Sequence, residues 1–225
     1  MASYYGQAAP APNGQHYQNN AQYGPPASGS YSNPQYQSTT SRPSAPSAPP
    51  PHFSDPKQAQ LWQWFSAVDR DRSGQITVLE LQNALMNGNW TPFREDTVRL
   101  MIHMFDRDGS GTIGFDEFGA LWKYITDWKQ CFDGFDRDRS GTIDFRELQT
   151  ALTSFGYNLS QQFYGLLLRK FDRKGSGHID FDAFIKLCVQ LRSMTNQFQA
   201  YDRQRTGVVT VSYEQFLGMV FQILP

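Results

Sequence analysis

The sequence predicts an all-α protein made of five helix–loop–helix repeats, with short antiparallel β-pairings between the loops. The first observation is an acidic loop pattern with a central glycine, which recurs with starts at residues 69, 106, 136, 172 and 202. The second is the set of apolar residues at helical spacing that flanks each copy. The third is the alternation of long and short intervals between copies. A long interval leaves room for two helices, and a short one leaves room for a single helix.

Residues 1–54 are predicted to be a disordered, low-complexity leader. Ten of the thirteen prolines and six of the eleven tyrosines lie there. The segment has one charged residue, Arg42, and apart from Met1 it contains no Leu, Ile, Val or Met. Such a composition buries too little apolar surface to offset the entropy cost of ordering the chain. Residues 55–225 are therefore expected to form the folded domain.

Charge and apolar content disfavour several classes of protein. Residues 55–225 carry 19 Lys and Arg against 21 Asp and Glu, so nothing indicates nucleic-acid binding. No stretch has the length and apolar content of a membrane-spanning helix, and the N-terminus lacks a signal core. Cys131 and Cys188 lie in apolar helical contexts, which favours buried free thiols in a reducing compartment over a disulfide. A cytoplasmic protein is expected.

The third loop, residues 136–147, holds a complete set of oxygen ligands for Ca²⁺. Gly141 permits its sharp turn, and the ligand spacing is that of an EF-hand. The predicted ligands are Asp136, Asp138, Ser140, Thr142 through its carbonyl, Asp144 through water, and Glu147. A chance acidic turn is disfavoured because so many positions are satisfied at once. Mg²⁺ can occupy the same oxygens when calcium is low.

Loops 1 and 2, residues 69–80 and 106–117, also fill the required positions. The ligands predicted for them are Asp69, Asp71, Ser73, Gln75 and Glu80 in loop 1, and Asp106, Asp108, Ser110, Thr112 and Glu117 in loop 2. Loop 3 offers four ligand carboxylates and the others three each, so loop 3 is expected to bind most tightly and loop 2 least. For loop 2 a structural hand that fills only at high calcium stays an alternative.

Loops 4 and 5, residues 172–183 and 202–214, keep the central glycine but lose ligands. Lys174 places a cation at the third position of loop 4, and Ala183 supplies no oxygen at its twelfth. In loop 5 the same two positions hold Gln204 and Tyr213. We therefore expect hand geometry without calcium binding in both.

The spacing also predicts topology. The long connectors should hold two helices and a turn, with Thr91 and Ser160 as N-caps and Pro92 at a first helical position. Residues 118–135 and 184–201 should be single helices, each shared by two hands. The aliphatic residues at the eighth loop position should pair Ile76 with Ile113 and Ile143 with Ile179.

The fifth hand is left without a partner in this scheme. Val209 would form an uncovered edge beside an apolar C-terminal helix, so a second copy is expected to cover both through residues 200–225. The alternative is that this helix folds back on its own core. On the helix shared by hands 2 and 3, the aromatic run 122–128 is open to two interpretations, core packing or a peptide groove.

Five hands with this spacing, behind a Pro/Gly/Tyr/Gln-rich leader, resemble the penta-EF-hand family over residues 55–225. The likeness is greatest to the subgroup of programmed cell death protein six and peflin. The stretches that carry it are Leu-Trp near 61, Asn-Gly-Asn-Trp-Thr-Pro-Phe at 87–93, Trp-Lys-Tyr-Ile-Thr-Asp-Trp at 122–128, Arg-Lys-Phe-Asp-Arg at 169–173 and Val-Ser-Tyr-Glu-Gln-Phe at 211–216.

The resemblance implies a calcium-responsive adaptor without catalytic activity. It implies homo- or heterodimers through the fifth hand, capture of Pro-rich segments of membrane-trafficking proteins, and calcium-dependent recruitment to endoplasmic-reticulum, vesicle or endosomal membranes. Asn158 departs from the family pattern, since the cell-death protein has a switch arginine there. A constitutive regulatory subunit of a heterodimer, peflin-like or calpain-small-subunit-like, is the alternative. An enzyme is disfavoured because the histidines and cysteines form no nucleophile–base set.

Overall fold

The computed structural model describes residues 55–221 as eight α-helices and one two-stranded sheet. The helices are α1 (Pro56–Val68), α2 (Val78–Ala84), α3 (Glu95–Phe105), α4 (Phe115–Phe135), α5 (Phe145–Ser154), α6 (Gln161–Phe171), α7 (Phe181–Tyr201) and α8 (Tyr213–Phe221). The strands are β1 (Gln75–Ile76) and β2 (Ile113–Gly114). The disorder predicted for residues 1–54 and the predicted helical pattern of residues 222–225 lie outside the described residues.

The helix pattern follows the predicted spacing. Each long connector holds two helices, α2 with α3 and α5 with α6, and each short one is a single helix, α4 or α7, shared by neighbouring hands. Both shared helices have 21 residues, so one rigid rod carries the exit of one hand and the entry of the next. Within the described part of the chain, no helix is long and apolar enough to cross a membrane.

The predicted pairings between loops are confirmed. Strands β1 and β2 are antiparallel with Ile76 opposite Ile113, and an isolated bridge joins Ile143 to Ile179 through N–H···O distances of 2.9 and 3.0 Å. All four isoleucine side chains are at most 1% exposed, so the pairings lie under the loops within the core. Hands 1 and 2, and hands 3 and 4, therefore form two pairs.

One predicted helix start is confirmed and one is wrong. Ser160 caps α6 by accepting a hydrogen bond from the Phe163 N–H at 3.2 Å. The first helical residue of α3 is Glu95, with Arg94 as its N-cap, so Thr91 and Pro92 lie outside the helix. They belong to a short hairpin in which Met86 pairs with Pro92. Backbone pairing within the hairpin overrides the local capping signal.

The aromatic run on α4 is largely part of the core. Ile125 and Trp128 are 8% and 5% exposed, while Trp122 and Tyr124 are half-buried against Trp64 and Phe105, with ring centroids 5.0 and 5.2 Å apart. Burial raises the pKa of Tyr124 to about 12, so its hydroxyl stays protonated.

The two cysteines are free thiols, as predicted, and the reducing compartment stays a prediction. Cys188 is buried, Cys131 is half-buried, and both are free thiols. Burial raises the pKa of Cys131 to about 11 and that of Cys188 well above its ordinary value. Because the thiolate is the reactive form, these two groups behave as small apolar side chains rather than nucleophiles.

The described part of α8 is not buried in the core: Leu217, Met219 and Val220 are half-buried, and its other residues are exposed. None of the described residues of α8 is buried, and Tyr213, Phe216 and Phe221 are 77%, 52% and 70% exposed. Val209 has no strand partner within residues 55–221. An apolar helix at Tyr213–Phe221 is therefore confirmed, and the second copy expected to cover it and the Val209 edge stays a prediction.

Candidate metal centres

Three groups of carboxylates converge at the three complete loops. In each group the ligand oxygens of loop positions 1, 3 and 12 lie within 4.8 Å of one another. The groups are Asp69, Asp71 and Glu80; Asp106, Asp108 and Glu117; and Asp136, Asp138 and Glu147. The first member is always the C-cap of one helix, and the last lies in the first turn of the next helix. Folding of the helices therefore brings the carboxylates together.

The aspartate at position 1 organises the backbone of each loop. In loop 3 Asp136 accepts hydrogen bonds from the N–H groups of Ser140 and Gly141 at 3.0 and 2.9 Å. Asp69 and Asp106 accept the equivalent pairs in loops 1 and 2. These bonds draw the middle of the loop around one point, where the remaining oxygens converge.

The glutamate at position 12 belongs to a capping box as well as to the ligand set. Glu147 accepts from the N–H groups of Arg137 and Asp144 at 2.8 and 3.0 Å, and Asp144 accepts from the Glu147 N–H at 2.8 Å. Asp144 therefore caps α5 and is not one of the three converging carboxylates. Thr77 and Glu80 form the same box in loop 1. Sequence reasoning missed this role, although an Asp or Thr three residues before a Glu signals it.

The predicted oxygens at positions 5 and 7 are neighbours in all three loops. The Ser140 hydroxyl donates to the carbonyl of Thr142 at 3.1 Å, and the Ser73 hydroxyl donates to that of Gln75 at 2.9 Å. The corresponding Ser110 to Thr112 distance is 3.4 Å. Hydroxyl, carbonyl and carboxylate oxygens therefore border the same space in each loop.

Hydrogen bonds favour the ionised form of some of these carboxylates. The Ser140 side chain and backbone lower the pKa of Asp138, and Ser73 lowers that of Asp71 in the same way. Burial raises the pKa of Glu80, but hydrogen bonds from Thr77 and Arg70 outweigh it and leave that pKa lowered. Convergent anionic oxygens repel one another unless a cation lies between them, and an all-oxygen set suits a hard cation such as Ca²⁺.

Comparison with known proteins agrees with this geometry. A family profile described as an EF-hand domain pair matches residues 58–123 and again residues 125–189. A sorcin from Schistosoma japonicum is 52% identical over 160 residues, which span 71% of this chain and 93% of that protein. The chain belongs to the penta-EF-hand family. It is a calcium-binding protein of the sorcin and peflin type.

Other penta-EF-hand relatives place it in the same group. A peflin from Danio rerio is 41% identical over 160 residues, and this matched region covers 71% of this chain and 59% of that peflin. A solved structure of a homolog of programmed cell death 6 protein from Leishmania major Friedlin is similar with a TM-score of 0.67 and 40% identity, covering 73% of this chain and 94% of that one. The family resemblance is confirmed, and sorcin joins the relatives that the sequence motifs had indicated.

Hands 4 and 5 of this penta-EF-hand protein keep the loop geometry without the ligands. Asp172 still accepts from the Gly177 N–H at 2.6 Å, and Asp202 from the Gly207 N–H at 2.7 Å. In loop 4 the Lys174 ammonium lies 3.3 Å from an Asp180 oxygen, so a side-chain cation approaches a carboxylate that could otherwise face a metal. Within residues 55–221, neither loop contains a converging carboxylate group.

The fourth loop position adopts a left-handed conformation in all five hands. Arg72, Arg139 and Arg205 have φ of 57°, 58° and 53°, and Gly109 and Gly175 have 71° and 65°. An L-residue is strained in this region and glycine is not. Sequence reasoning missed this position; the glycines in loops 2 and 4 were the available signal.

Proposed function

We propose that this penta-EF-hand protein is a calcium-responsive cytoplasmic adaptor without catalytic activity. Calcium binding at loops 1, 2 and 3 would reposition the flanking helices, as in other sensor hands. The protein would dimerise through residues 200–225 and capture Pro-rich segments of trafficking proteins. Raised calcium would recruit it to endoplasmic-reticulum, vesicle or endosomal membranes.

The observation that carries the proposal is the exposed face of α8 beside an unpaired hand. Phe216 and Phe221 are 52% and 70% exposed, and Val208 in the preceding loop is 73% exposed. Several large apolar side chains exposed in one short segment are typical of an interaction surface. A two-fold related copy covers the helix face and also pairs the open loop edge, which supports a dimer built on hand 5.

A calorimetric calcium titration of the full chain, with magnesium present, tests the sensor part. The glutamate at position 12 is substituted in one loop at a time, as E80Q, E117Q or E147Q. Each variant should lose one binding event, and E147Q should lose the tightest. E95Q is the matched control, because Glu95 pairs with Arg99 on an exposed helix face. Sites with dissociation constants of roughly 10⁻⁷ to 10⁻⁵ M support a sensor. No site tighter than about 10⁻³ M, the range of weak hands, would instead favour a constitutive regulatory subunit.

Light scattering on F216S and F163S tests the dimer. Both side chains are exposed phenylalanines, at 52% and 41%, but only Phe216 lies on α8. F216S should lower the mass from a dimer toward the 25.7 kDa monomer, while F163S should leave it unchanged. Equal dissociation by both variants, or a monomeric unmodified chain, would overturn the proposed surface.

A further inference from the structure

A short hairpin at residues 85–93 joins the two helices between loops 1 and 2. The Asn87 N–H donates to the Thr91 carbonyl at 2.8 Å, and the Phe93 N–H donates to the Leu85 carbonyl at 3.2 Å. At its tip Trp90 is held with a φ of 63° and donates its N–H to the Asn87 carbonyl at 2.9 Å. The hairpin is thus a closed, hydrogen-bonded unit.

The tip of this 85–93 hairpin lies against loop 3. A Cβ added to Gly88 would stand 2.9 Å from the Cα of Gly141, and one added to Gly141 would stand 3.2 Å from the Gly88 carbonyl carbon. Backbone meets backbone at this point, with no side chain between them that could adjust. Gly88 has no left-handed φ, so its glycine is needed for the close approach rather than for backbone freedom.

The hairpin is also tied to loop 4. The Asn89 amide donates to an Asp180 oxygen at 2.6 Å, and the Asp182 N–H donates to the Asn87 side-chain oxygen at 2.9 Å. Asn87 is only 4% exposed. A surface pocket of about 180 Å³ lies beside this junction, lined by Asn87, Asp180 and Asp182 among others. The hairpin therefore spans both loops of the second pair of hands.

Both ends of the hairpin lead to calcium ligands of the first pair of hands. It follows α2, whose first turn contains Glu80 of loop 1, and it precedes α3, whose C-cap is Asp106 of loop 2. At its tip it meets Gly141, whose N–H is bonded to Asp136 of loop 3. The hairpin thus connects the backbone of loop 3 at Gly141 with the two short helices that carry ligands of loops 1 and 2.

We propose that the 85–93 hairpin couples calcium binding at loop 3 to calcium binding at loops 1 and 2, with Gly88 as the positioning residue of that coupling. The inference rests on the proposed calcium sites. Coupling is reciprocal: each site changes the affinity of the other by the same factor, typically about 5- to 150-fold.

The test is a set of calcium titrations of the full chain. E147Q and E80Q are each measured in the otherwise unmodified chain and again together with a hairpin or control variant. In the unmodified chain, E147Q should shift the affinity of loop 1 by at least about fivefold, and E80Q should shift loop 3 by the same factor. In G88A the added Cβ forces Gly141 away, and both shifts should fall toward onefold. G134A is the matched control, because a Cβ there meets nothing within 4 Å. N89A adds no bulk and removes three hydrogen bonds, the one that Asn89 donates to Asp180 and the two that it accepts from Thr91. It should weaken the coupling without pushing Gly141 away.

Hydrogen exchange gives a readout that mere packing would not move. With E80Q and E117Q present, calcium can load loop 3 alone, and it should still change the exchange of the Asn87 and Trp90 amides. Unchanged exchange, or a coupling factor that G88A leaves intact, would overturn the inference while the calcium sites stand. Failure of the unmodified chain to bind calcium would overturn the proposed sites and the coupling with them.

Discussion

Replacing Arg94 with leucine should destabilise the domain by about 3 kcal/mol, since loss of one partner of a buried ion pair costs roughly 3–5 kcal/mol. The Asp182 side chain is 2% exposed, and one of its oxygens accepts from Arg94 Nε at 2.7 Å and from the Arg94 N–H at 3.0 Å. Without the guanidinium, the backbone N–H of residue 94 is the one donor left to this buried carboxylate among residues 55–221. We take the lower end of the range because the Arg94 side chain is 18% exposed and its Nη2 has no hydrogen-bond partner.

Urea unfolding in the presence of a calcium chelator measures this effect directly. R94L/D182L, which removes both charges, should recover most of the loss, because an apolar pair of similar volume is often neutral. R99L is the matched control: Arg99 pairs with Glu95 at 64% and 58% exposure, so its loss should cost less than about 1 kcal/mol. An R94L loss no larger than that of R99L would refute the reasoning. So would a double variant as unstable as the sum of its single variants.

Three further predictions concern single side chains. T77A removes the cap that accepts the Glu80 N–H at 3.3 Å, and should cost about 1 kcal/mol in chelator-treated unfolding. R139G relieves a left-handed residue and should raise stability by up to about 1 kcal/mol, measured in the same assay; no gain would contradict the strain. Burial raises the pKa of Asp96, but the hydrogen bond and charge of Lys186 outweigh it and leave the pKa below the usual 3.8. A carboxyl group whose pKa is lower in the folded than in the unfolded state stabilises the fold at pH values above its unfolded pKa, and this contribution is lost as the pH falls through its folded pKa. The stability advantage of the unmodified protein over D96N should therefore be constant above about pH 5 and shrink toward pH 3. A pH-independent difference would contradict this prediction.

The loops and their pairing could be predicted because their determinants are local in sequence. Asp136 and Gly141 are five residues apart, and the N–H···O bond between them closes within one loop. The eighth-position isoleucines pair because each loop places one aliphatic side chain on its inner edge, as Ile143 and Ile179 do. The intervals between loops then fix how many helices fit, through the rise per residue of a helix.

The errors arose where distant residues decide the local structure. Thr91 followed by Pro92 has the composition of a helix start, yet the chain pairs there with Met86 and α3 begins later. Hydrogen bonds from Asp182 and to Asp180, about 90 residues away in sequence, anchor that hairpin. No pattern within residues 85–93 specifies those partners, so single-sequence reasoning could not place the segment.

The same contacts explain why hand 4 keeps its geometry after losing its ligands. In a calcium-binding loop, the carboxylates converge on the ion. In loop 4 Ala183 is 2% exposed in the core, and Asp180 is turned toward Lys174 and Asn89. Asp182 is turned toward Arg94 in the same way. The loop therefore holds the 85–93 hairpin against the second pair of hands instead of holding an ion. Restoring ligands in loop 4 needs carboxylates in place of Lys174 and Ala183. If Asp180 then turned toward the ion, its hydrogen bond to Asn89 would be lost and the contact between the two pairs of hands would weaken.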